Sequence, residues 1–201
     1  MAIEFKKTAV SGRTPEIWRG ECKILPGGFK PLQNLPVGTV LRRGALLEVN
    51  RKDMTAAVVK LADVLEGGTT TAVRVAKGHY FAVGDVVTKV GDGSATPSIK
   101  SVDTSNADYD VLNLSAAYTG LSKGDTIVES AAVGSGKASS KYTPNAIVGA
   151  DKEFNGKGIP AIDAAYEAVL LYQSLSFSVP EEWLLGGLCL KYNPNILFIK
   201  Q

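Results

Sequence analysis

Side chains able to do chemistry are sparse in this chain, and their spacing argues against most of the chemistry they could do. His79 is the only histidine among 201 residues. A metal site built on it would need carboxylates to complete the ligand set, and a Ser-His-Asp arrangement has this one ring as its base. It stands in Lys77-Gly78-His79-Tyr80, on the way into a chain reversal, where an imidazole more readily serves a turn or a barrel mouth than general-base work. Asp85 and Asp125 follow Gly84 and Gly124. As a pair they would suit acid–base catalysis or calcium, but an aspartate directly after a turn glycine accepts hydrogen bonds from its own backbone amides. Gly84, Asp85, Gly124 and Asp125 are therefore assigned to turn formation. Gly91-Asp92-Gly93 lacks the alternating acids and terminal glutamate of a calcium loop and reads as a hairpin tip. Gly134-Ser135-Gly136-Lys137-Ala138 falls short of a phosphate-binding loop, having no glycine at 131 and alanine in place of the hydroxyl. The reading is a non-enzymatic protein with no catalytic residue, metal or cofactor.

The elements that carry these residues have β texture. His79-Tyr80-Phe81 leads into Gly84-Asp85-Val86-Val87, and Tyr118-Thr119-Gly120-Leu121 leads into Gly124-Asp125-Thr126-Ile127, about forty residues later. Two copies are too few for a solenoid, which needs roughly three units to bury a continuous core. Short apolar stretches closed by turn residues occur at Thr39–Leu41, Leu46–Asn50, Ala72–Val75, Asp85–Val90, Ser98–Val102, Val111–Leu114 and Asp125–Glu129. This spacing predicts a mainly β protein, a small β-barrel or sandwich. Residues 53–68 fit either a helical stripe or strands; the β-branched centre and the neighbouring segments favour strands.

Around this β-domain, at 37–130, three further regions are expected. Residues 1–36 read as an extended N-terminal arm, because Pro15, Pro26, Gly27, Gly28, Pro31 and Pro36 interrupt it too often for a long helix or a central strand. Its apolar groups either pack on their own domain or cover a neighbouring surface. Residues 131–141, small and polar, read as a flexible connection. Residues 142–201 read as a C-terminal α+β segment containing one helix, with Pro160 in its first turn and Ile162, Ala165, Tyr166, Val169 and Leu170 on one face up to Ser174. After it come two strands turning at Asn193-Pro194-Asn195.

Composition removes several classes. A formal charge of +2 without a dense Lys/Arg block gives no footprint for nucleic acid, and no polybasic or amphipathic segment points to a membrane surface. The start of the chain lacks the apolar core of a signal peptide, and no apolar run approaches a membrane span, so synthesis and folding in a bacterial cytoplasm are expected. Cys22 and Cys189 have no Cys-x-x-Cys partner and are expected to be free thiols.

Three segments together resemble the family of phage head fibre proteins found in tailed phages and in prophages of gut Bacteroidales. They are Val37-Gly38-Thr39-Val40-Leu41 with Arg43-Gly44, then Lys77-Gly78-His79-Tyr80-Phe81-Ala82-Val83-Gly84-Asp85, and the ending Leu190-Lys191-Tyr192-Asn193-Pro194-Asn195-Ile196-Leu197-Phe198-Ile199-Lys200-Gln201. The resemblance implies a non-enzymatic virion protein, a head fibre or capsid decoration on the outer surface of the phage head. It implies the major capsid protein as partner and a homotrimer, although no heptad or collagen-like repeat specifies three chains. On this reading Phe5, Trp18 and Phe29 are the anchors of a capsid or subunit interface. A carbohydrate-binding or adhesion module is the alternative, with Tyr80, Tyr109 or Tyr118 as platforms for surface glycans.

Overall fold

The computed structural model describes residues 16–33, 35–91, 95–131, 139–157 and 161–200. Its strands are β1 (Trp18–Pro31), β2 (Val40–Leu41), β3 (Leu46–Asn50), β4 (Thr55–Val58), β5 (Leu61–Asp63), β6 (Ala72–Ala76), β7 (Val87–Lys89) and β8 (Ile99–Asp103). They continue with β9 (Tyr109–Leu114), β10 (Thr126–Glu129), β11 (Ala146–Val148), β12 (Lys152–Glu153), β13 (Ile162–Leu171), β14 (Leu184–Leu185), β15 (Cys189–Leu190) and β16 (Asn193–Ile199). The protein is mainly β, and no helix among the described residues reaches seven residues. Within residues 53–68 the chain forms strands, β4 and β5, and no helix.

These strands close into two rings. In barrel one the order β1-β4-β3-β11-β13 returns to its start because β13 also pairs with β1. Barrel two, residues 61–130, is inserted between β4 and β11. Its sheets β5-β10-β7 and β6-β9-β8 join through the bridges Val64–Val75 and Val86–Ser98, so closure leaves no open edge. Its interior is Val73, Val75, Val87, Ile99, Leu112, Tyr118 and Ile127 with their neighbours.

Barrel one draws strands from three of the regions read above as separate. Although punctuated by proline and glycine, β1 lies inside the sheet, paired along β13 and, at its end, with β4. Register shifts between Arg19 and Lys23 and between Leu25 and Phe29 absorb the irregular stretches, as bulges do. Expected to be helical, the segment after Pro160 is instead strand β13. It is the hub of the sheet: β1 on one edge, β11 and the parallel β16 sharing the other. Both faces of this wall are covered. Leu47, Ala146, Val148 and Ala164 face the barrel interior, while Leu46, Ile147 and Ala165 lie under a second layer containing Phe177, Trp183, Ile196 and Phe198. A strand buried on both faces does not alternate. With Ala164 and Ala165 both interior, the apolar pattern of β13 imitated a helix. The C-terminal turn is also shifted: Lys191 and Tyr192 make it, and Asn193-Pro194-Asn195 begins β16. Asn193, nearly buried, donates from Nδ2 to the carbonyls of Asn145 and Tyr166.

Candidate functional site

The two Gly-Asp turns adopt one geometry. Asp85 N–H donates to Ala82 O at 3.2 Å and Asp125 N–H to Ser122 O at 3.1 Å. Gly84 and Gly124 have φ of +92° and +89°, conformations that an L side chain resists. Each aspartate then accepts the first amide of its turn, from Ala82 and Ser122, at 2.7 Å in both cases. Each turn also clasps a residue of the other half of barrel two. Gly84 and Asp85 exchange backbone bonds with Ile99, and Gly124 and Asp125 do so with Val64. The sequence repeat is thus a pseudo-twofold repeat of hydrogen bonds. Because β7 and β10 run antiparallel, the two aspartates start opposite ends of the pair, roughly 20 Å apart at the strand rise, and cannot act together on one atom.

Their surroundings differ. The Asp85 carboxylate meets Lys60 Nζ at 2.8 and 2.7 Å, and Lys60 also lies 3.7 Å from Glu129. Glu129 in turn accepts from Lys141 at 2.6 Å. These charges sit where the chain crosses between barrels: Lys60 on the way into barrel two, Glu129 and Lys141 on the way out. Lys60 and Glu129 side chains are each 6 % exposed, so this is a buried ionic clasp. Its sequence signal was a lone lysine inside the apolar run Ala56-Ala57-Val58-Val59-Lys60-Leu61-Ala62, a charge that must find a carboxylate once buried. Asp125 instead pairs with Lys89 at 2.9 Å near the surface. Partial burial would raise the Asp125 carboxyl, but the Lys89 and Ser122 hydrogen bonds and the Lys89 charge outweigh it and hold the carboxyl below the ordinary range.

His79 lies beside the first turn, its side chain 5 % exposed. Nδ1 accepts the Phe81 amide at 3.2 Å, which puts the proton of the neutral ring on Nε2. Nε2 stands 3.2 Å from Oδ2 of Asp110 yet off the line of a hydrogen bond, while Lys77 holds Oδ1 of the same carboxylate at 2.7 Å. Burial pushes the imidazole below its ordinary value, with Asp110 pulling up and Lys77 pushing down. Nε2 is shut off from solvent and Nδ1 is taken by the Phe81 amide, so the ring reads as part of the wall. Among the described residues no three His, Cys, Asp or Glu side chains converge as a metal site would need.

One opening among the described residues is a cleft of about 310 Å³ on the seam of the two barrels. One wall is the turn Arg42-Arg43-Gly44-Ala45, closed by Ala45 N–H to Arg42 O at 3.1 Å with Gly44 at φ +83°. The lining continues with Ile17, Tyr80, Asp151 and the loop Ser174–Phe177. Arg42 N–H donates to Tyr80 Oη at 3.0 Å and ties one barrel to the other; burial raises the Tyr80 phenol. Two glycines set the width. A Cβ on Gly44 would meet Ile17 Cγ2 at 2.9 Å, and one on Gly78 would meet Ser176 Oγ at 2.9 Å. Asp151 accepts the Arg43 amide at 2.8 Å and lies 3.6 Å from the Arg42 guanidinium. The Arg43 guanidinium is 5.6 Å from the centre of the Trp18 ring. Arg42, Asp151 and Ser176 carried no sequence signal beyond the Arg-Arg-Gly turn.

Of the expected interface anchors, Phe5 lies outside the described residues. Trp18 is half-buried at the edge of this cleft through Arg43. Phe29 is corrected: at 1 % exposure it belongs to the interior of barrel one, against Ala56 and Ile162 among others, so its apolar surface is already covered by its own chain. The glycan platforms fare similarly. Tyr118 is fully buried and accepts the Lys89 amide, Tyr109 lies under Arg74, and the Tyr80 phenol is engaged with Arg42. Cys22 and Cys189 are free thiols. Compared with known proteins, the chain matches no family model, no curated protein and no solved structure.

Proposed function

We propose that this protein is a non-enzymatic bacteriophage virion component, a head fibre or decoration protein that associates with the outer surface of the head through the major capsid protein, as a homo-oligomer. The observation that carries the reading is a meeting of motifs. Two of the three segments that resemble head fibre proteins, 37–41 with 43–44 and 77–85, lie far apart in sequence and contribute Arg43 and Tyr80 to the lining of one cleft, where the intervening Arg42 N–H donates to Tyr80 Oη. Turn motifs serving only their own hairpins have no need to meet. Two closed barrels clamped by a buried ionic clasp also suit a particle component, which works by staying folded and attached.

Mass spectrometry of density-purified particles, after induction of prophages in the source bacterium, tests this. The expected result is this chain in fixed proportion to the major capsid protein; its absence from well-formed particles overturns the reading. A deletion that probes attachment should end at residue 15, because removing 1–33 takes away β1 and opens barrel one.

A further inference from the structure

We infer that His79 is an acid-operated latch on the seam: the neutral ring caps the turn at Phe81, and the charged ring turns onto Asp110, releases that turn and loosens the contacts that tie barrel two to barrel one. The inference goes beyond the virion reading and rests on the hydrogen bonds of the ring alone.

The neutral ring makes one bond and forgoes another. Nδ1 accepts the Phe81 amide at 3.2 Å. That leaves the Nε2 proton buried without a partner, 3.2 Å from Oδ2 of Asp110 but out of line, and a buried donor left unpaired is costly. The acceptor is at hand, because Lys77 takes Oδ1 of that carboxylate and not Oδ2. Protonation reverses the balance. An imidazolium donates from both nitrogens, so Nδ1 can no longer accept, and two donors 3.2 Å apart repel. At the same moment the Nε2 bond becomes one between opposite charges, roughly twice as strong as a neutral one. A single tilt of the ring serves both changes, bringing Nε2 into line with Oδ2 as Nδ1 leaves the Phe81 amide. The charged groups that face the ring are Asp110 on β9, Lys77 just before it in the chain, and Asp85 in the adjoining turn, itself held by Lys60. Burial outweighs the two carboxylates and Lys77 adds to it, so the latch opens on the acid side of the ordinary imidazole value.

The position of the ring gives its tilt a consequence, since both chain neighbours carry contacts across the seam. Tyr80 Oη accepts the Arg42 amide at 3.0 Å. Gly78 lies so close to the loop Ser174–Phe177 that a Cβ on it would stand 2.9 Å from Ser176 Oγ. Residues 78–80 cannot shift without disturbing these contacts. The ionic clasp of Lys60 with Asp85 and Glu129 is built on other atoms, so the barrels stay joined while the cleft side loosens.

The experiment is an NMR titration of the full-length protein from about pH 8 down to about pH 4, which brackets a lowered imidazole. At neutral pH the ring nitrogens should report the proton on Nε2. On acidification the His79 ring and the Phe81, Arg42 and Ser176 amides should shift together, with one midpoint below 6.5, while far-UV circular dichroism stays constant. His79→Gln keeps a side-chain acceptor and removes the titrating group; it should abolish the three amide responses and leave those of carboxylates elsewhere. Tyr80→Phe should preserve the His79 and Phe81 titrations and remove the transmission to Arg42. A ring that titrates without moving Phe81, Arg42 and Ser176 overturns the proposal, as do the same amide shifts in His79→Gln. A proton on Nδ1 at neutral pH, or a ring that stays neutral until the whole protein unfolds, overturns it in the wild type alone. None of these outcomes touches the question of attachment to heads.

Discussion

The turns at Gly84-Asp85 and Gly124-Asp125 have one backbone, one side-chain cap and one kind of clasp to the opposite half of barrel two, yet they sit in different dielectric worlds. Asp85 faces a lysine that is 6 % exposed, whereas Asp125 faces one that is 28 % exposed. Sequence determines the local shape of such a turn, because glycine with positive φ and a short acid acting on its own amides need only neighbours along the chain. What the turn contributes to stability is decided by what packs around it, and that is set by the joining of two barrels. The repeat was legible; its asymmetry was not.

Four measurements sharpen or break this contrast. The largest effect belongs to Asp85→Ala, which leaves Lys60 buried with only the distant Glu129. The expected loss is about 3 kcal/mol in urea unfolding, the range for breaking a buried pair. Gly84→Ala and Gly124→Ala test the shared half of the comparison. Both sites have open space for a Cβ and nearly the same φ, so each should cost about 1 kcal/mol through backbone strain alone; unequal losses would show that the turns are not equivalent. Asp125→Ala should cost less than about 1 kcal/mol, and 1 M salt should erode that cost while leaving the Asp85 effect intact. Equal sensitivity of Asp85 and Asp125 to alanine and to salt would end the distinction between a seam turn and a surface turn.

A smaller, pH-dependent difference follows from His79, whose counterpart forty residues on is Thr119. The folded protein holds the imidazole neutral more firmly than the unfolded chain does. The unfolded chain therefore takes up the proton first, and stability falls as pH drops below the ordinary value of 6.5. Thermal melts of His79→Gln should lose this part of the acid sensitivity. An unchanged pH profile would mean that Asp110 compensates the buried charge.

Legibility followed the reach of the interactions. The strands of barrel two stood out because alternating burial, as in Tyr109–Leu114, and glycine turns are local signals. Barrel one was legible only in β3 and β4. Its first strand is broken by bulges, and β13, covered on both faces, offers Ala164-Ala165 where an alternating strand would show a polar residue. Closing β1 onto β13 is a long-range event that no window of sequence contains. The cleft is hidden for the same reason, since Arg42, Tyr80, Asp151 and Ser176 become neighbours only when both barrels exist. Lys60 was missed although its apolar flanks marked it as a charge to be buried.

The insertion of barrel two also imposes an order in time. Its strands are contiguous in the chain and can pair as soon as residue 130 is free of the ribosome. Strand β1 must wait for β13, a delay on the order of 10 s at ordinary elongation rates. During that interval Phe29, later enclosed, and Ile24, later half-buried, are exposed. Closure of barrel one therefore depends on β13 reaching β1 before any competing strand does.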